Sequence, residues 1–458
     1  MNDNDIQFLP LGGAGEIGSS CFYLKIGGTG ILLDCGMHPR KEGIEALPDF
    51  SLIENEDVDF ALITHAHTDH LSALPFLIRS KPWVRIYSTP QTRAIAEVTL
   101  HNSVSILQEQ TGMDSAVKPY SHEEIDLLIQ SFHYKSYNER FEIKGLHHLG
   151  NSCISITFHD AGHILGSACI LIEYNGKKIF YSGDINLNSQ SWLRGTILPR
   201  LRINTLILET TYGATPTEIV PGWKAESDRL TREANRILSS GGSVLMPVFS
   251  LGKMQELLAT VWKLMQSNRL MKTDIFTGGI ANKITRIYDY SRYNVNVSDK
   301  EFRFADIPVR DIYEIERPDY FSRNPSILLV PSGMMIRNTL SCRLGLEFMK
   351  YRNCAIFTTG YMDPDSPGYL ISGLSRNDTV KFEGEKREIK VKCEIQKFRF
   401  TAHSVREDLI KITDTMNPER VILVHGEADA VDWTGYNLLT CLPHLKIHAA
   451  RIGKSIQL

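Results

Sequence analysis

Short apolar runs that each end in one polar side chain recur along this chain, at Gly30–Asp34, Ala61–His65, Ile154–His163, Lys178–Asp184, Thr205–Glu209 and Val421–His425. Runs of four to eight apolar residues bounded by turn formers read as buried strands. Sheets present their functional groups at strand ends, so the pattern predicts one edge lined by the terminal residues. Ile6–Gly18 reads as a strand running into a glycine-rich turn, and Ser20–Ile26 as a second strand. A hairpin is expected there rather than a dinucleotide fingerprint, because no helix pattern opens on the glycines.

Between Glu226 and Thr359 the pattern alternates between helix and strand. Glu226–Leu238 is amphipathic and is followed by Gly241 and Gly242; Val244–Phe249, Asp274–Gly279, Ser326–Pro331 and Cys354–Gly360 are apolar runs; Lys253–Met265 is again helical. Such alternation predicts a parallel sheet flanked by helices, with ligands met at the carboxyl ends of its strands. Because the His425 run belongs with the earlier ones, this second domain is expected to be an insertion. The expected division is 1–205 for the first part of the first domain, 206–395 for the insert and 396–458 for the return. The tail from Leu409 is expected to hold a helix, the His425 strand and a closing strand.

Composition narrows the class. A chain of 458 residues with 42% hydrophobic and 22% charged residues is globular. No apolar stretch approaches the roughly 20 residues of a membrane span, and the acidic start Met1–Asp5 lacks a secretory pattern. The eight cysteines are scattered without a C-x-x-C pair, which fits reduced thiols and a cytoplasmic location. With a net charge of −3, a polyanion partner has to be held by a local groove and by metals.

The chemistry concentrates in His65-Ala66-His67-Thr68-Asp69-His70. Imidazole and carboxylate are ligands for borderline divalent cations such as zinc. On an extended backbone His65 and His67 point to one side, while Asp69 and His70 swing away as the chain bends. Two donor pairs a few ångströms apart could hold two metals. If the strand ends share one edge, His163, Asp184 and His425 join them, with Asp34 nearby. Elsewhere, Lys283, Arg286 and Arg292 with Tyr288, Tyr290 and Tyr293 offer either a grip on a nucleic-acid strand or a solvated helix face. Lys381, Lys386 and Arg387 sit in a mixed charge run that reads as surface, and His147, His148 and His159 are spare histidines.

The hexad, His163 in Ala161–Ser167 and Asp184 in Ser182–Asp184 resemble the metallo-β-lactamase fold, an αββα sandwich. Leu208–Gly213, Gly242–Gly252 with Gln255–Leu258, Thr401–His403 and Val424–Gly426 resemble its β-CASP branch, in which an α/β domain is inserted. The resemblance implies a ribonuclease using two Zn2+ ions, acting as an endonuclease or from the 5′ end. It implies one zinc on His65, His67, His163 and Asp184, and the other on Asp69, His70, His425 and a bridging Asp184, with a hydroxide between them as nucleophile. Asp34 orients a ligand histidine, as metal-bound imidazoles require of a neighbour. Asp69, Glu209 and His403 are the implied catalytic residues, Glu209 keeping the His403 imidazole protonated. RNA is the implied partner, single-stranded DNA stays open, and a homodimer or a protein partner would supply targeting. Two departures stand out: Ser404-Val405 where the family usually has Ala-Asp, and Lys253 where arginine is common. The loop Thr359–Gly368 also differs. A metallo-hydrolase of small esters or thioesters and a silent scaffold subunit are the alternatives.

Overall fold

The computed structural model describes residues 6–110, 118–146, 153–360, 362–382 and 388–458. His147, His148 and the charged residues 383–387 lie outside that set, as does position 361 in the loop that departs from the family. The described residues form two compact units: 6–188, 195–219 and 403–458 in the first, 189–194 and 220–402 in the second. Apart from the excursion at 189–194, the chain leaves the first unit after residue 219 and returns at 403, later than the 205 and 395 expected. The reason is pairing. Thr205–Glu209 runs parallel to Lys177–Tyr181 and Arg420–Val424 inside the first unit, whereas Glu394–Phe398 pairs with Ala355–Thr359 inside the second.

The first unit is two seven-stranded sheets. One runs, in spatial order, Ile456–Gln457, Ile6–Gly12, Cys21–Ile26, Thr29–Leu33, Phe60–Leu62, Arg85–Ser88 and Phe132–Tyr134. The other runs Lys446–Ala449, Arg420–Val424, Thr205–Glu209, Lys177–Tyr181, Ala168–Tyr174, Ile154–Asp160 and Arg140–Ile143. Phe22, Leu33 and Leu62 from the first sheet and Phe158, Ile170, Ile207 and Val424 from the second share one core. Leu409, Ile412 and Met416 of the Arg406–Met416 helix and Val431 and Leu438 of Ala428–Cys441 cover the outer face of the second sheet. Thr205–Glu209 is buried at every position, as a strand covered on both faces must be, which is why it reads as an unbroken apolar run. Residues 6–26 form the expected antiparallel hairpin, and strand rather than helix follows the glycines.

The second unit is an all-parallel six-stranded sheet in the order Val309–Asp311, Asp274–Thr277, Ser326–Pro331, Val244–Val248, Ala355–Thr359 and Glu394–Phe398. Its Trp223–Ser239 helix buries Leu230, Ala234, Ile237 and Leu238, the apolar spacing of one helix face, and ends against Gly241 at φ +79°. In the Ala281–Ser291 helix, Tyr288 is fully buried on Trp192 and Phe304, with ring centroids 5.1 and 5.9 Å away. It belongs to the core and is not available to stack a base; Tyr290 and Tyr293 are exposed.

No described helix is long and apolar enough to cross a membrane. All eight cysteines are free thiols, and Cys153 and Cys441 alone are exposed.

Candidate metal centre

Strand ends of the first unit build the centre. His65 lies three residues past Phe60–Leu62, and the four-residue helix Thr68–Leu71 begins just after His67, so that Asp69 and His70 sit on its one turn. His163 and Asp184 each follow their strand by three residues. Glu209 ends its strand, and His425 is the first residue beyond Arg420–Val424. Since the Asp184, Glu209 and His425 strands are parallel neighbours, their carboxyl ends emerge together. Two of the residues collected here have left-handed backbone, Asp34 at φ +59° and His425 at φ +47°. Strain of that kind costs on the order of 1–3 kcal/mol where a bulky residue carries it, and it clusters at functional sites.

The donors fall into two groups. His65, His67, His163 and Asp184 form one, and Asp69, His70 and His425 the other, while Asp184 also converges with Glu209 and His403. In the first, His67 Nδ1 is 3.1 Å from His65 Nε2 and 3.2 Å from His163 Nε2, and Asp184 Oδ2 is 3.6 Å from both Nε2 atoms. A tetrahedral ion with ligands at about 2.0–2.1 Å keeps its ligand atoms about 3.3–3.4 Å apart, so four converging atoms at these separations fit one. In the second group, Asp184 Oδ1 is 3.4 Å from His70 Nε2 and 3.6 Å from His425 Nε2, with Asp69 Oδ2 3.9 Å from each. Asp184 thus turns one oxygen to each group. His70 Nε2 and Asp184 Oδ1 are buried without a hydrogen-bond partner, a costly state that a cation would relieve.

The electrostatics agree. Burial pushes His65 well below the usual imidazole range, and His70, His67, His163 and His425 add to it. His425 is lowered to about 4, again by burial first and then by His70. At His70 burial opposes charge, but Asp184, Asp69 and Asp34 outweigh it and raise it to about 10. Burial raises Asp184 to about 7 against the pull of His70 and His403. Burial thus keeps His65 and His425 neutral, the form in which an imidazole can be a ligand, while His70 draws its charge from the carboxylates that would share a cation with it.

Three neighbours escaped the sequence reading. Ser20 Oγ is 2.7 Å from His425 Nδ1. Tyr181 donates its hydroxyl proton to Asp34 Oδ2 at 2.7 Å. Thr64 places its hydroxyl 2.8 Å from Asp34 Oδ2 and 3.0 Å from His65 Nδ1. Thr64 alone adjoins a suspected position, His65; Ser20 and Tyr181 carried no such signal. Asp34 itself accepts from His70 Nδ1 at 2.8 Å.

Glu209 and His403 meet beside the first group. His403 Nδ1 is 3.0 Å from Glu209 Oε1, which also accepts the Ile185 N–H, and Oε2 accepts that of Thr211. The His403 ring lies 4.5 Å from that of His163. At Glu209 burial opposes charge, but His403 outweighs it and holds the carboxyl below its usual value. His159 instead bonds Asn138 through Nδ1.

Comparison with known proteins agrees with this geometry. Residues 23–210 match the family described as "Metallo-beta-lactamase superfamily domain", and residues 388–434 that described as "Zn-dependent metallo-hydrolase RNA specificity domain". "Probable RNase MJ4" of Methanocaldococcus jannaschii is 31% identical over 425 residues, 91% of this chain and 92% of its own length. The "RNase J-like protein" of the same organism is 29% identical over 420 residues, 91% of each chain. "Cleavage and polyadenylation specificity factor subunit 3" of Dictyostelium discoideum is 27% identical over 470 residues, spanning all of this chain but 58% of the relative. The crystal structure of a protein of unknown function from Enterococcus faecalis shares the fold, with a TM-score of 0.57 at 14% identity over 99% of this chain and 100% of that one. With two donor groups at the strand ends of a two-sheet sandwich, and a likeness that runs through 91% of its length, the chain belongs to the β-CASP branch of the metallo-β-lactamase superfamily.

Proposed function

We propose that this protein is a ribonuclease that hydrolyses RNA phosphodiester bonds with two zinc ions held by His65, His67, His163, Asp69, His70, His425 and a shared Asp184. The observation that carries the reading is Asp184, whose two oxygens face different imidazole groups. RNA as substrate is supported by the names of the relatives and by the description of the domain family matched at 388–434. Bound metal supplies an activated water at neutral pH and offsets charge on the phosphoryl oxygens.

The chain's own residues do the rest. His70 keeps its proton on Nδ1, where Asp34 accepts it, and so turns an unprotonated Nε2 to the centre. Glu209 favours the protonated His403 ring. With Nδ1 held by Glu209, His403 can give a proton from Nε2 to the departing 3′-oxygen, a general-acid role.

Water, rather than the RNA's 2′-hydroxyl, is then the nucleophile. Labelled RNA cut by the purified protein should give 5′-phosphate and 3′-hydroxyl ends by mass spectrometry, even with hydrogen or O-methyl at the 2′ position of the cleaved nucleotide. A 2′,3′-cyclic phosphate or a 5′-hydroxyl product would overturn the reading. Gels of 5′- and 3′-labelled RNA distinguish internal cleavage from trimming.

A further inference from the structure

We infer that Thr64 and Asp34 form a single relay that sets the tautomer of one histidine in each donor group, making Thr64 a positioning residue for His65. The inference rests on the reading of the two groups as metal sites.

Asp34 is fully buried and receives four donors. These are the Thr64 N–H on Oδ1 at 2.7 Å, the Tyr181 hydroxyl and His70 Nδ1 on Oδ2 at 2.7 and 2.8 Å, and the Thr64 hydroxyl, 2.8 Å from Oδ2 and 3.0 Å from Oδ1. A carboxylate so surrounded is an acceptor only. The Thr64 hydroxyl therefore spends its one proton on Asp34 and can only accept at its other contact, His65 Nδ1, 3.0 Å away. That contact requires His65 to carry its proton on Nδ1. Its Nε2 lone pair then points at His67 Nδ1 and Asp184 Oδ2. One carboxylate thus dictates the Nδ1–H form of His70 directly and of His65 through a hydroxyl.

Nothing local besides this relay calls for the hydroxyl. The backbone of Thr64 is already engaged, its N–H by Asp34 and its carbonyl by the Ala168 N–H. Its methyl packs on Gly183, where an added Cβ would sit 2.8 Å from Thr64 Cγ2. Valine would keep all of that and remove only the hydroxyl; serine would keep the hydroxyl and lose the methyl.

The test uses the full chain, wild type, Thr64→Val and Thr64→Ser, stripped with chelator and titrated with Zn2+ against a chromophoric chelator. Histidine labelled with 15N reports ring tautomers in parallel. The wild type should bind two zincs with His65 in the Nδ1–H form. Thr64→Val should weaken one of the two sites about 10- to 100-fold, the usual cost of losing such a support, and leave the other near its wild-type affinity. Thr64→Ser should restore both. Wild-type affinity at both sites in Thr64→Val, or a weakened site that Thr64→Ser fails to restore, overturns the relay and leaves the metal reading standing. The wild-type tautomer decides independently of how the variants fold: an Nε2–H His65 overturns the relay. A wild type that takes up no zinc overturns the metal reading and the relay together.

Discussion

Both units place buried carboxylates near the carboxyl ends of strands, yet they use them differently. In the second unit Glu256, fully buried, accepts the backbone N–H groups of Trp192 and Leu193 at 2.7 and 2.9 Å, one on each oxygen. Glu226, 2% exposed, accepts the Arg399 N–H and pairs with Arg229. In the first unit Asp184 is as deeply buried, but its Oδ1 meets no donor and faces His70 Nε2, which meets no acceptor. A buried charge that ends on backbone holds the fold together; one that faces another unsatisfied side chain is arranged for something absent from the chain. On the proposed function, the difference separates the structural acids Glu226 and Glu256 from Asp184, the acid assigned to metal.

The largest effect should come from breaking the functional acid. Asp184→Asn keeps the shape and removes the shared charge, so zinc should be lost from both groups. Elemental analysis should show the loss. RNA cleavage should fall on the order of a thousandfold or more, since metal activation is worth several kcal/mol and each 1.36 kcal/mol is tenfold in rate. A variant that kept one zinc at full occupancy would show that the two oxygens are not shared.

Next in size is His403→Ala, which should keep its zinc and lose about a hundredfold in rate, the low end of general-acid catalysis. Glu209→Gln should resemble it, because the two act as one unit. Loss of metal from either variant would move the pair out of the acid's role and into the metal's support.

Much of this contrast was legible in the residues. The hexad showed itself by type and spacing, and His163, Asp184, Glu209 and His425 by closing apolar runs. The supports did not. Ser20, Thr64 and Tyr181 act through the direction of single hydrogen bonds, which the alternation of apolar and polar positions does not encode. The helix Ala428–Cys441 was missed for another reason: it carries Thr434, Gly435 and Asn437, poor helix formers. A Cβ at Gly435 would meet Leu423 at 3.4 Å and Ile447 at 3.8 Å, ordinary contact distances, so packing on the sheet does not require glycine there. The boundary expected at 205 falls at the start of Thr205–Glu209, although that run shares the polar-ended pattern of the first unit's strands and pairs with two of them.

A smaller effect should follow from disturbing the structural acid. In Glu256→Gln the amide nitrogen cannot accept, so one of the two backbone N–H groups of Trp192 and Leu193 is left buried without a partner. That should cost about 1–3 kcal/mol in a urea titration, with zinc content unchanged. Loss of zinc from this variant would erase the distinction between the two kinds of acid.

The smallest effect is a pH dependence of that same carboxyl. Burial raises Glu256 from 4.5 to about 7, while the N–H groups of Trp192 and Leu193 pull the other way. The folded chain therefore holds a proton between pH 4.5 and about 7 that the unfolded chain releases. Stability from this group is complete below the unfolded value and is lost as pH rises through the folded one, with a slope of at most about 1.4 kcal/mol per pH unit. Glutamine has no such proton, so the stability of the wild type relative to Glu256→Gln should be greater at pH 5 than at pH 8. Urea titrations of both proteins at the two pH values make the comparison, with every other titrating group common to the pair. An unchanged difference would mean that Glu256 stays ionised throughout, held by its two N–H donors.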